Sequence, residues 1–341
     1  MSWKVPAFSA FMVLFAAGCG RQADTVLKVL HAGSLIVPFQ QLKQAFEAQN
    51  PGVEVQLESY GSATAIRQVT ELGRLADVIA SSDYRLIDEL MIDSPRRWAD
   101  WNVLFARNEL CIVYQGKERA ITQADWAEVL GRPDVRVGIS DPNQDPCGYR
   151  SLFCLYLAET RLGKKGLFEG LVCANSNVTV ERSASGEAVI RVPARVEYRG
   201  RLVLRPKETD LVALIEAGAI DYLLIYRSVA VQHKLDFLAL PDEVNLGSPA
   251  LAGEYRRVSV LQSADAPGGS TQIIAGPIAY GLTMPSSAPQ PRLAEAFVRL
   301  ALSEEGRRIM EESGQPALTP ALFSPASRTG GAPFALATMA K

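Results

Sequence analysis

The feature that most constrains this sequence is a regular alternation of strand-like and helix-like segments in its first third. "VLKVLHA" and "ADVIA" are apolar runs typical of buried strands, and "VEVQLES" alternates like a half-buried strand. Between them, "IVPFQQLKQAFEAQN" and "SATAIRQVTELG" place apolar residues at helical spacing and stop at Pro51-Gly52 and Gly73. This β-α-β-α-β series predicts an α/β domain with a mostly parallel sheet.

A second α/β series begins after "LFARNELCIVYQ" (104–115). It contains the strand-like "VRVGIS", the loop "DPNQDPCGYRS" and the helix-like "YRSLFCLYLAETRL", and it resumes with "ETDLVALIEAGA" and "IDYLLIYRSVA" after a β-excursion over 177–205. A chain of 341 residues is long enough for two such domains. The small, polar residues 324–341 are expected to be loose.

The N-terminus reads as an export signal. Lys4 precedes the apolar run "VPAFSAFMVLFAAG", which leads into Cys19. "AAGC" resembles a bacterial lipobox, so we expect residues 1–18 to be a lipoprotein signal peptide and Cys19 to be lipidated. An ordinary signal peptide and a buried N-terminal helix are the alternatives. The expected location is extracytoplasmic, anchored to the membrane in the periplasm or at the cell surface.

The charge argues against a nucleic-acid-binding protein, and the cysteine content limits the possible disulfides. The formal net charge of −2 leaves no strongly basic surface for nucleic acid. Four cysteines remain after Cys19, and an exported chain could pair them in three ways: Cys111, Cys147, Cys154 and Cys173. Two of them, Cys147 and Cys154, lie two turns apart on one predicted helix and cannot pair with each other. We interpret the four mainly as buried thiols, with one bridge open.

The sequence offers no convincing catalytic set, so we do not expect an enzyme. There are two histidines: His31, which is either a core residue or a neighbour of the site, and His233, which is interpreted as structural. The G-x-S-x-G, Walker A and HExxH motifs are absent from the sequence.

Two turns in the first series combine a strand, a glycine, a serine and a helix. Ser34 follows Gly33 in "HAGSL", and Ser62 follows Gly61 in "YGSAT". Each serine is either a helix cap or an oxyanion donor, since a hydroxyl and free helix N–H groups can both donate. Both turns fall at the end of the sheet where α/β proteins bind ligands. "ASSD" is similar, and its serines, Ser81 and Ser82, are interpreted as caps.

The second series contributes two acidic residues and a tyrosine. Asp145 precedes the predicted helix that contains Tyr149, and Glu208 opens "ETDLVALIEAG". Each carboxylate is either a cap stabilised by the helix dipole or a ligand-binding group. Tyr226 is either a hydrogen-bond donor to a ligand or a half-buried strand tyrosine. Backbone N–H groups near Cys147 are further candidate donors.

Taken in order, these motifs resemble a known family. The lipobox, "HAGSL", "YGSATAIRQVTELGRLADVIASSD" and the closing "AEAFVRLALSEEGRRIMEESG" resemble the solute-binding proteins of ABC transporters. "DPNQDPCGYRS", "RPKETDLVALIEAGAIDYLLIYRSVAVQH" and "LPDEVNLGSP" resemble more narrowly the tungstate-type members of the molybdate/tungstate-binding branch. The resemblance covers about residues 26–323.

The resemblance implies an α/β, two-lobed periplasmic-binding-protein fold of type II-like topology, with ligand in the cleft. Lobe 1 would comprise 19–108 plus 239–323, and lobe 2 would comprise 109–238. The implied ligand is tungstate or molybdate, with no cofactor. The implied partners are a transporter permease and, through the lipid anchor, the membrane. We expect a monomer.

The resemblance also implies residue roles. Ser34 and Ser62 would hold the oxyanion, and Tyr226 and the backbone N–H groups near Cys147 and Gly148 are the further candidate donors from the residues themselves. Asp145 and Glu208 would bind the metal directly, because tungsten(VI) and molybdenum(VI) accept extra oxygen ligands whereas sulfate would be repelled by two carboxylates. Another oxyanion or ferric iron is the alternative ligand, and a hydrolase or transferase on the same fold is the alternative class.

Overall fold

The computed structural model describes residues 1, 25–184, 186–263, 269–328 and 339–340. The predicted signal peptide and Cys19 lie outside the described residues. The strands are β1 Thr25–Ala32, β2 Val53–Tyr60, β3 Val78–Ser81, β4 Val103–Arg107, β5 Leu110–Tyr114, β6 Val137–Ser140, β7 Thr179–Arg182, β8 Ala188–Val192, β9 Leu202–Arg205, β10 Tyr222–Tyr226, β11 Asp236–Ala239, β12 Val258–Ser263, β13 Ser270–Ile274, β14 Ala279–Thr283 and β15 Ala317–Phe323.

Helices connect most of these strands. They are α1 Ile36–Gln49, α2 Ser62–Thr70, α3 Tyr84–Ile87, α4 Trp126–Gly131, α5 Pro146–Arg161, α6 Leu167–Leu171, α7 Val212–Glu216, α8 Arg227–Gln232, α9 Asp242–Asn245, α10 Ala252–Tyr255, α11 Pro291–Leu302 and α12 Glu304–Glu312. Short 3-10 turns over Gly33–Leu35 and Glu208–Leu211 lie at the ends of strand connections. Among the described residues, no helix combines the length and the apolar character needed to cross a bilayer.

The first sheet has the strand order β15-β4-β14-β3-β1-β2. Strand β1 pairs in parallel with β2 and β3, as the first β-α-β-α-β series predicts. Strand β14 comes from late in the chain and joins β3 to β4 through antiparallel pairing. Leu27 and Val29 of β1 pack in the core with Phe39 of α1. This sheet and its helices form lobe 1.

The second sheet has the order β11-β5-β10-β6-β9 and forms the centre of lobe 2. Strand β6 pairs in parallel with β10 and β9, while β5 pairs antiparallel with β10 and β11. Helix α5 follows β6, and every residue from 146 to 158 is buried. The loop 141–145 is therefore fixed between a central strand and a buried helix. The two-lobed α/β prediction is confirmed.

A third sheet, β13-β12-β8-β7, shifts the lobe boundary predicted from the sequence. Strand β12 pairs in parallel with β8, Val258 opposite Ala188. The sequence-based boundary at 238/239 assigned these two strands to different lobes. Helices α5 and α9 are in contact, as are α5 and β12. Residues 240–274 therefore belong with lobe 2, and the chain returns to lobe 1 only at β14.

Two short adjacent segments consequently connect the lobes. One runs from β4 to β5 through Asn108, and the other runs from β13 to β14 through Ile278. The Asn108 N–H donates to the Ile278 carbonyl at 3.4 Å, and Arg107 lies opposite Ala279 in the β4–β14 ladder. The connection between the lobes is therefore a pair of neighbouring antiparallel segments joined by backbone hydrogen bonds.

The start of the predicted loose tail is ordered by lobe 1. The Ser324 N–H donates to the Asn102 carbonyl at 2.9 Å, and the Arg328 N–H donates to the Asp100 carbonyl at 2.8 Å. Most of the remaining tail lies outside the described residues.

The four described cysteines are free thiols, as the main interpretation expected. Cys111, Cys147 and Cys154 are buried, and Cys173 is half-buried. The bridge that the sequence left open is not formed among the described residues.

Candidate functional site

The two predicted serines lie at the carboxyl ends of β1 and β2 and are fully buried. Ser34 Oγ lies 2.9 Å from the Tyr280 hydroxyl. Ser62 Oγ lies 3.1 Å from Ser82 Oγ and accepts the Ser82 N–H at 3.0 Å. Neither serine caps its helix through its side chain. Both hydroxyls instead belong to a polar cluster between the lobes.

The interpretation of Ser81 and Ser82 as caps is wrong. The cap of α3 is Asp83, whose side chain accepts the Arg85 N–H. The Ser81 hydroxyl donates to the Asp83 carbonyl. Ser82 joins the ligand-side cluster through Ser62, because residue 82 is the first after β3 and lies beside the start of α2.

The two predicted acidic residues meet in lobe 2. Asp145 caps α5, accepting the Cys147 N–H at 3.3 Å through Oδ1, while its Oδ2 accepts the Glu208 N–H at 2.9 Å. Glu208 does not act as a cap, and neither of its carboxyl oxygens has a hydrogen-bond partner among the described residues. Asp145 is 2% exposed and Glu208 is 1% exposed. The Glu208 carboxyl is thus buried, and the nearby charge of Lys207 only partly compensates for that burial.

Burial raises the pKa of Glu208 well above its usual value, and the nearby Asp145 carboxylate raises it further. Burial also raises the pKa of Asp145. Two acids that share one buried volume destabilise each other's charged form. Compensation by a cationic centre placed between them would lower both pKa values.

Glycines allow the lobes to approach each other at this point. A Cβ on Gly33 would lie 3.0 Å from Glu208 Oε1, and a Cβ on Gly61 would lie 2.4 Å from the Gln144 carbonyl oxygen. Gly33 and Gly61 belong to lobe 1, whereas Gln144 and Glu208 belong to lobe 2. The structure is therefore closed, with the serine turns against the carboxylate loops.

Tyr226 ends β10 and is completely buried, so the half-buried alternative is wrong. Its hydroxyl accepts from Arg150 Nη1 at 2.7 Å and lies 3.4 Å from Ser82 Oγ. The Cys147 N–H, a predicted ligand donor, is directed at Asp145, and Cys147 Sγ faces the Leu224 carbonyl at 3.9 Å.

A buried ion network beside the site was missed by the sequence reasoning. Arg150 Nη2 lies 3.2 Å from Asp83 Oδ2, and both side chains are 1% exposed. The Tyr149 hydroxyl donates to the same Asp83 oxygen at 2.7 Å, and Arg85 pairs with it at 2.6 Å. Although burial opposes it, the charges of Arg85 and Arg150 hold the pKa of Asp83 well below its usual range. Asp83 is in lobe 1, and Arg150 is in lobe 2.

The chemistry of the cluster is that of an anion site with two added acids. The described residues contain no group of three or more His, Cys, Asp and Glu side chains that could hold a metal ion by themselves. His31 lies on β1 with Nδ1 2.8 Å from the Ala32 carbonyl, and burial lowers its pKa to about 4, so it is neutral. Hydroxyl donors, a buried guanidinium and two carboxyls thus converge from both lobes.

Comparison with curated proteins gives relatives that match nearly the whole chain. The "Molybdate/tungstate-binding protein WtpA" of Pyrococcus abyssi is 41% identical over 324 residues, covering 91% of both chains. The protein of the same name from Thermococcus kodakarensis is 40% identical, covering 91% of this chain and 89% of its own. An uncharacterised solute-binding protein of Methanococcus maripaludis is 39% identical over 93% of each chain.

Solved structures of low sequence identity share the fold. The periplasmic molybdate-binding protein of Azotobacter vinelandii superposes with a TM-score of 0.58 at 16% identity, covering 85% of this chain and 98% of its own. The sulfate-binding protein SubI of Mycobacterium tuberculosis gives 0.57 at 15% identity, covering 87% and 88%. The family model for bacterial extracellular solute-binding proteins matches residues 27–315. This chain therefore belongs to the bacterial extracellular solute-binding protein family.

Proposed function

We propose that this protein captures tungstate or molybdate between its lobes and delivers it to the permease of an ABC transporter. The observation that carries the proposal is the pair of buried carboxyls, Asp145 and Glu208, facing the hydroxyl-bearing turns of lobe 1. The relatives of about 40% identity that are named for binding these two anions support the same ligand. Ser34, Ser62 and Tyr226 are the proposed donors to the oxo groups, and the Cys147 N–H, which donates to Asp145 Oδ1, would position that carboxylate beside them.

Electrostatics argues against sulfate or phosphate at this place. A dianion about 4 Å from one carboxylate is repelled by about 8 kcal/mol at an effective dielectric constant near 20. Two carboxylates double the repulsion to about 16 kcal/mol, which exceeds the roughly 12 kcal/mol of a nanomolar complex. In its ionised form the acid pair therefore selects against an anion whose central atom cannot bind it. A metal centre placed between the two acids would lower their raised pKa values and so stabilise that ionised form.

Tungsten(VI) and molybdenum(VI) differ because each is a hard Lewis acid that can expand its coordination. One oxygen from Asp145 and one from Glu208, added to four oxo groups, would complete a six-coordinate centre. The Glu208 oxygens, which have no hydrogen-bond partner among the described residues, are free to form such bonds. The same acids that repel sulfate would then hold the ligand.

Isothermal titration with tungstate, molybdate and sulfate tests the proposal. We expect tight binding of one or both metal oxyanions and no measurable binding of sulfate. Tight sulfate binding without tungstate or molybdate binding would overturn it.

We further propose export and anchoring through Cys19, with the folded chain acting as a monomer outside the cytoplasm. The lipobox-like "AAGC" motif supports the anchor. Metabolic labelling with a radioactive fatty acid in a bacterial host, with Cys19→Ser as control, tests it. Membership of a transport family also favours binding over turnover, and we expect no hydrolysis of small esters or phosphoesters.

A further inference from the structure

Asn108 occupies the crossing from lobe 1 to lobe 2, and its side-chain orientation is fixed. Its Oδ1 accepts the Glu109 N–H at 2.9 Å and the Ser228 N–H at 3.4 Å. Since both partners are backbone donors, the oxygen must face them and Nδ2 must face the other way. The two Nδ2 hydrogens go to the Ser228 hydroxyl and the Tyr280 hydroxyl, each at 2.7 Å.

This orientation determines where the Tyr280 hydrogen points. A carboxamide NH₂ donates only, so the Tyr280 oxygen accepts from Asn108 and its own hydrogen must be directed elsewhere. Ser34 Oγ lies 2.9 Å away and receives it. Burial raises the pKa of Tyr280 to about 12, so the hydroxyl keeps this hydrogen at neutral pH. Asn108 is 4% exposed, and Tyr280 and Ser34 are fully buried.

With its oxygen already accepting, the Ser34 hydroxyl has one hydrogen left to donate. Among the residues that the structure describes, that hydrogen has no acceptor. The Ser34 carbonyl is held separately by Gln315 Nε2 at 2.8 Å, which fixes the turn itself. We propose that Asn108 and Tyr280 are positioning residues that orient the Ser34 hydroxyl as a donor to a bound oxyanion. The inference rests on the proposed function and adds two residues that never touch the ligand.

The same arrangement recurs on the other side of the cluster. Arg150 Nη1 donates to the Tyr226 hydroxyl at 2.7 Å, so the Tyr226 hydrogen also points away from its partner. Its one acceptor among the described residues is Ser82 Oγ at 3.4 Å, a long contact. Donor-only groups thus orient hydroxyls in both lobes, as an anion site requires and a cation site would not.

The first test removes one hydroxyl. Tyr280→Phe should weaken tungstate binding about tenfold in isothermal titration, because the Ser34 hydrogen is no longer directed at the ligand. Tyr255→Phe is the matched control: Tyr255 is also fully buried, and its hydroxyl bonds to the Asp242 carbonyl in lobe 2, away from the cluster. We expect Tyr255→Phe to bind like the wild type.

A double-mutant cycle separates positioning from general loss of structure. If Tyr280 acts through Ser34, then Tyr280→Phe should cause no further loss of affinity in a Ser34→Ala background. Effects that simply add would show that Tyr280 acts independently of Ser34 and would overturn the inference.

A second variant reverses the direction of the hydrogen bonds. Asn108→Asp keeps the shape but turns the donor into a carboxylate acceptor, so Tyr280 would donate to it and then accept the Ser34 hydrogen. We expect weaker tungstate binding at pH 8 and recovery, relative to wild type at each pH, as the pH is lowered until the introduced carboxyl protonates. In a Tyr280→Phe background, Asn108→Asp can weaken tungstate binding only by charge repulsion. The loss of affinity that it causes there should be smaller than the loss it causes in the wild-type background.

The outcomes distinguish this inference from the proposed function. A wild-type protein that binds neither tungstate nor molybdate overturns both. Wild-type binding together with unchanged binding by Tyr280→Phe overturns the positioning role alone. If thermal denaturation shows that Tyr280→Phe does not fold, Asn108→Asp decides, and a loss of affinity that does not depend on pH contradicts the inference.

Discussion

The lobe 1 half of the site and the lobe 2 half differ in how completely their polar atoms are satisfied. In lobe 1, Ser34 and Ser62 each accept a hydrogen bond from a buried neighbour. In lobe 2, both Glu208 oxygens and the Thr209 hydroxyl lack partners among the described residues. The serine hydroxyls are thus held by hydrogen bonds from their neighbours, whereas the Glu208 oxygens receive none from the residues that the structure describes. Under the proposed function, lobe 1 would orient the ligand and the acids of lobe 2 would select it.

The largest expected effect comes from removing the acidic half. Asp145→Asn with Glu208→Gln keeps the shapes and removes both charges, so tungstate should lose two metal–oxygen bonds. We expect affinity to fall about a thousandfold or more, equivalent to about 4 kcal/mol. Sulfate should gain affinity because the repulsion is gone. Isothermal titration with both anions measures each change.

Glu216→Gln, an exposed acid on α7 of the same lobe, is the control and should leave both affinities unchanged. If the double variant kept the wild-type preference for tungstate over sulfate, the carboxyls would not be the selective half.

A smaller effect is expected from breaking the ion pair that joins the two halves. Arg150→Met leaves Asp83 in lobe 1 with Arg85 alone, and removal of one partner of a buried pair costs about 3 kcal/mol. Thermal denaturation should show a lower Tm, and small-angle scattering should show a more open chain. Arg308→Met, which breaks the exposed pair with Glu312, should change little. Equal effects of the two substitutions would contradict a role for Arg150 in closure.

The contact between the halves can be obstructed with one methyl group. Gly61→Ala would place a Cβ 2.4 Å from the Gln144 carbonyl oxygen, so the lobes could not close fully. We expect tungstate affinity to fall about thirtyfold, equivalent to about 2 kcal/mol, with the lobes themselves intact. Gly131→Ala, where a Cβ meets nothing within 4 Å, is the matched control. Wild-type affinity in Gly61→Ala would show that binding does not need this closure.

The smallest expected effect is a dependence of stability on pH. The pKa of Glu208 is raised in the folded chain, so its contribution is fully present below the unfolded pKa and is lost as pH rises through the folded pKa. Ligand-free protein should therefore lose a few degrees of Tm as pH rises above about 4.5. Glu208→Gln should flatten that slope, and an unchanged slope would assign the effect to other groups.

The sequence predicted the positions that depend on local order. The glycine-serine turns at residues 33–34 and 61–62 follow β1 and β2, and Asp145 and Glu208 follow β6 and β9. The strands of each pair are parallel, so within each sheet their carboxyl ends share one edge. Local patterns therefore predicted residues that the structure brings close together. They did not decide between cap and ligand, because that depends on what the opposite lobe presents to each side chain.

Long-range contacts explain what the sequence did not show. Tyr280 reaches Ser34 across 246 positions, and Asn108 reaches Tyr280 across 172. Arg150 can be noticed in the sequence as a charge within the apolar run "YRSLFCLYLA". That run does not identify Asp83 as its partner. The lobe boundary was misplaced because the sequence of neither strand indicates that β12 pairs in parallel with β8.

The position of β14 bears on the order in which the nascent chain can assemble. This strand alone connects β3 to β4, yet it follows the whole of lobe 2 in the chain. All strands of lobe 2 have been synthesised once the chain reaches residue 274. At that point the β1-β2-β3 part of lobe 1 is still separate from β4, because Ala279–Thr283 has not yet been added. The half that holds the acids can thus be complete first, whereas Ser34 gains its Tyr280 partner only when β14 arrives.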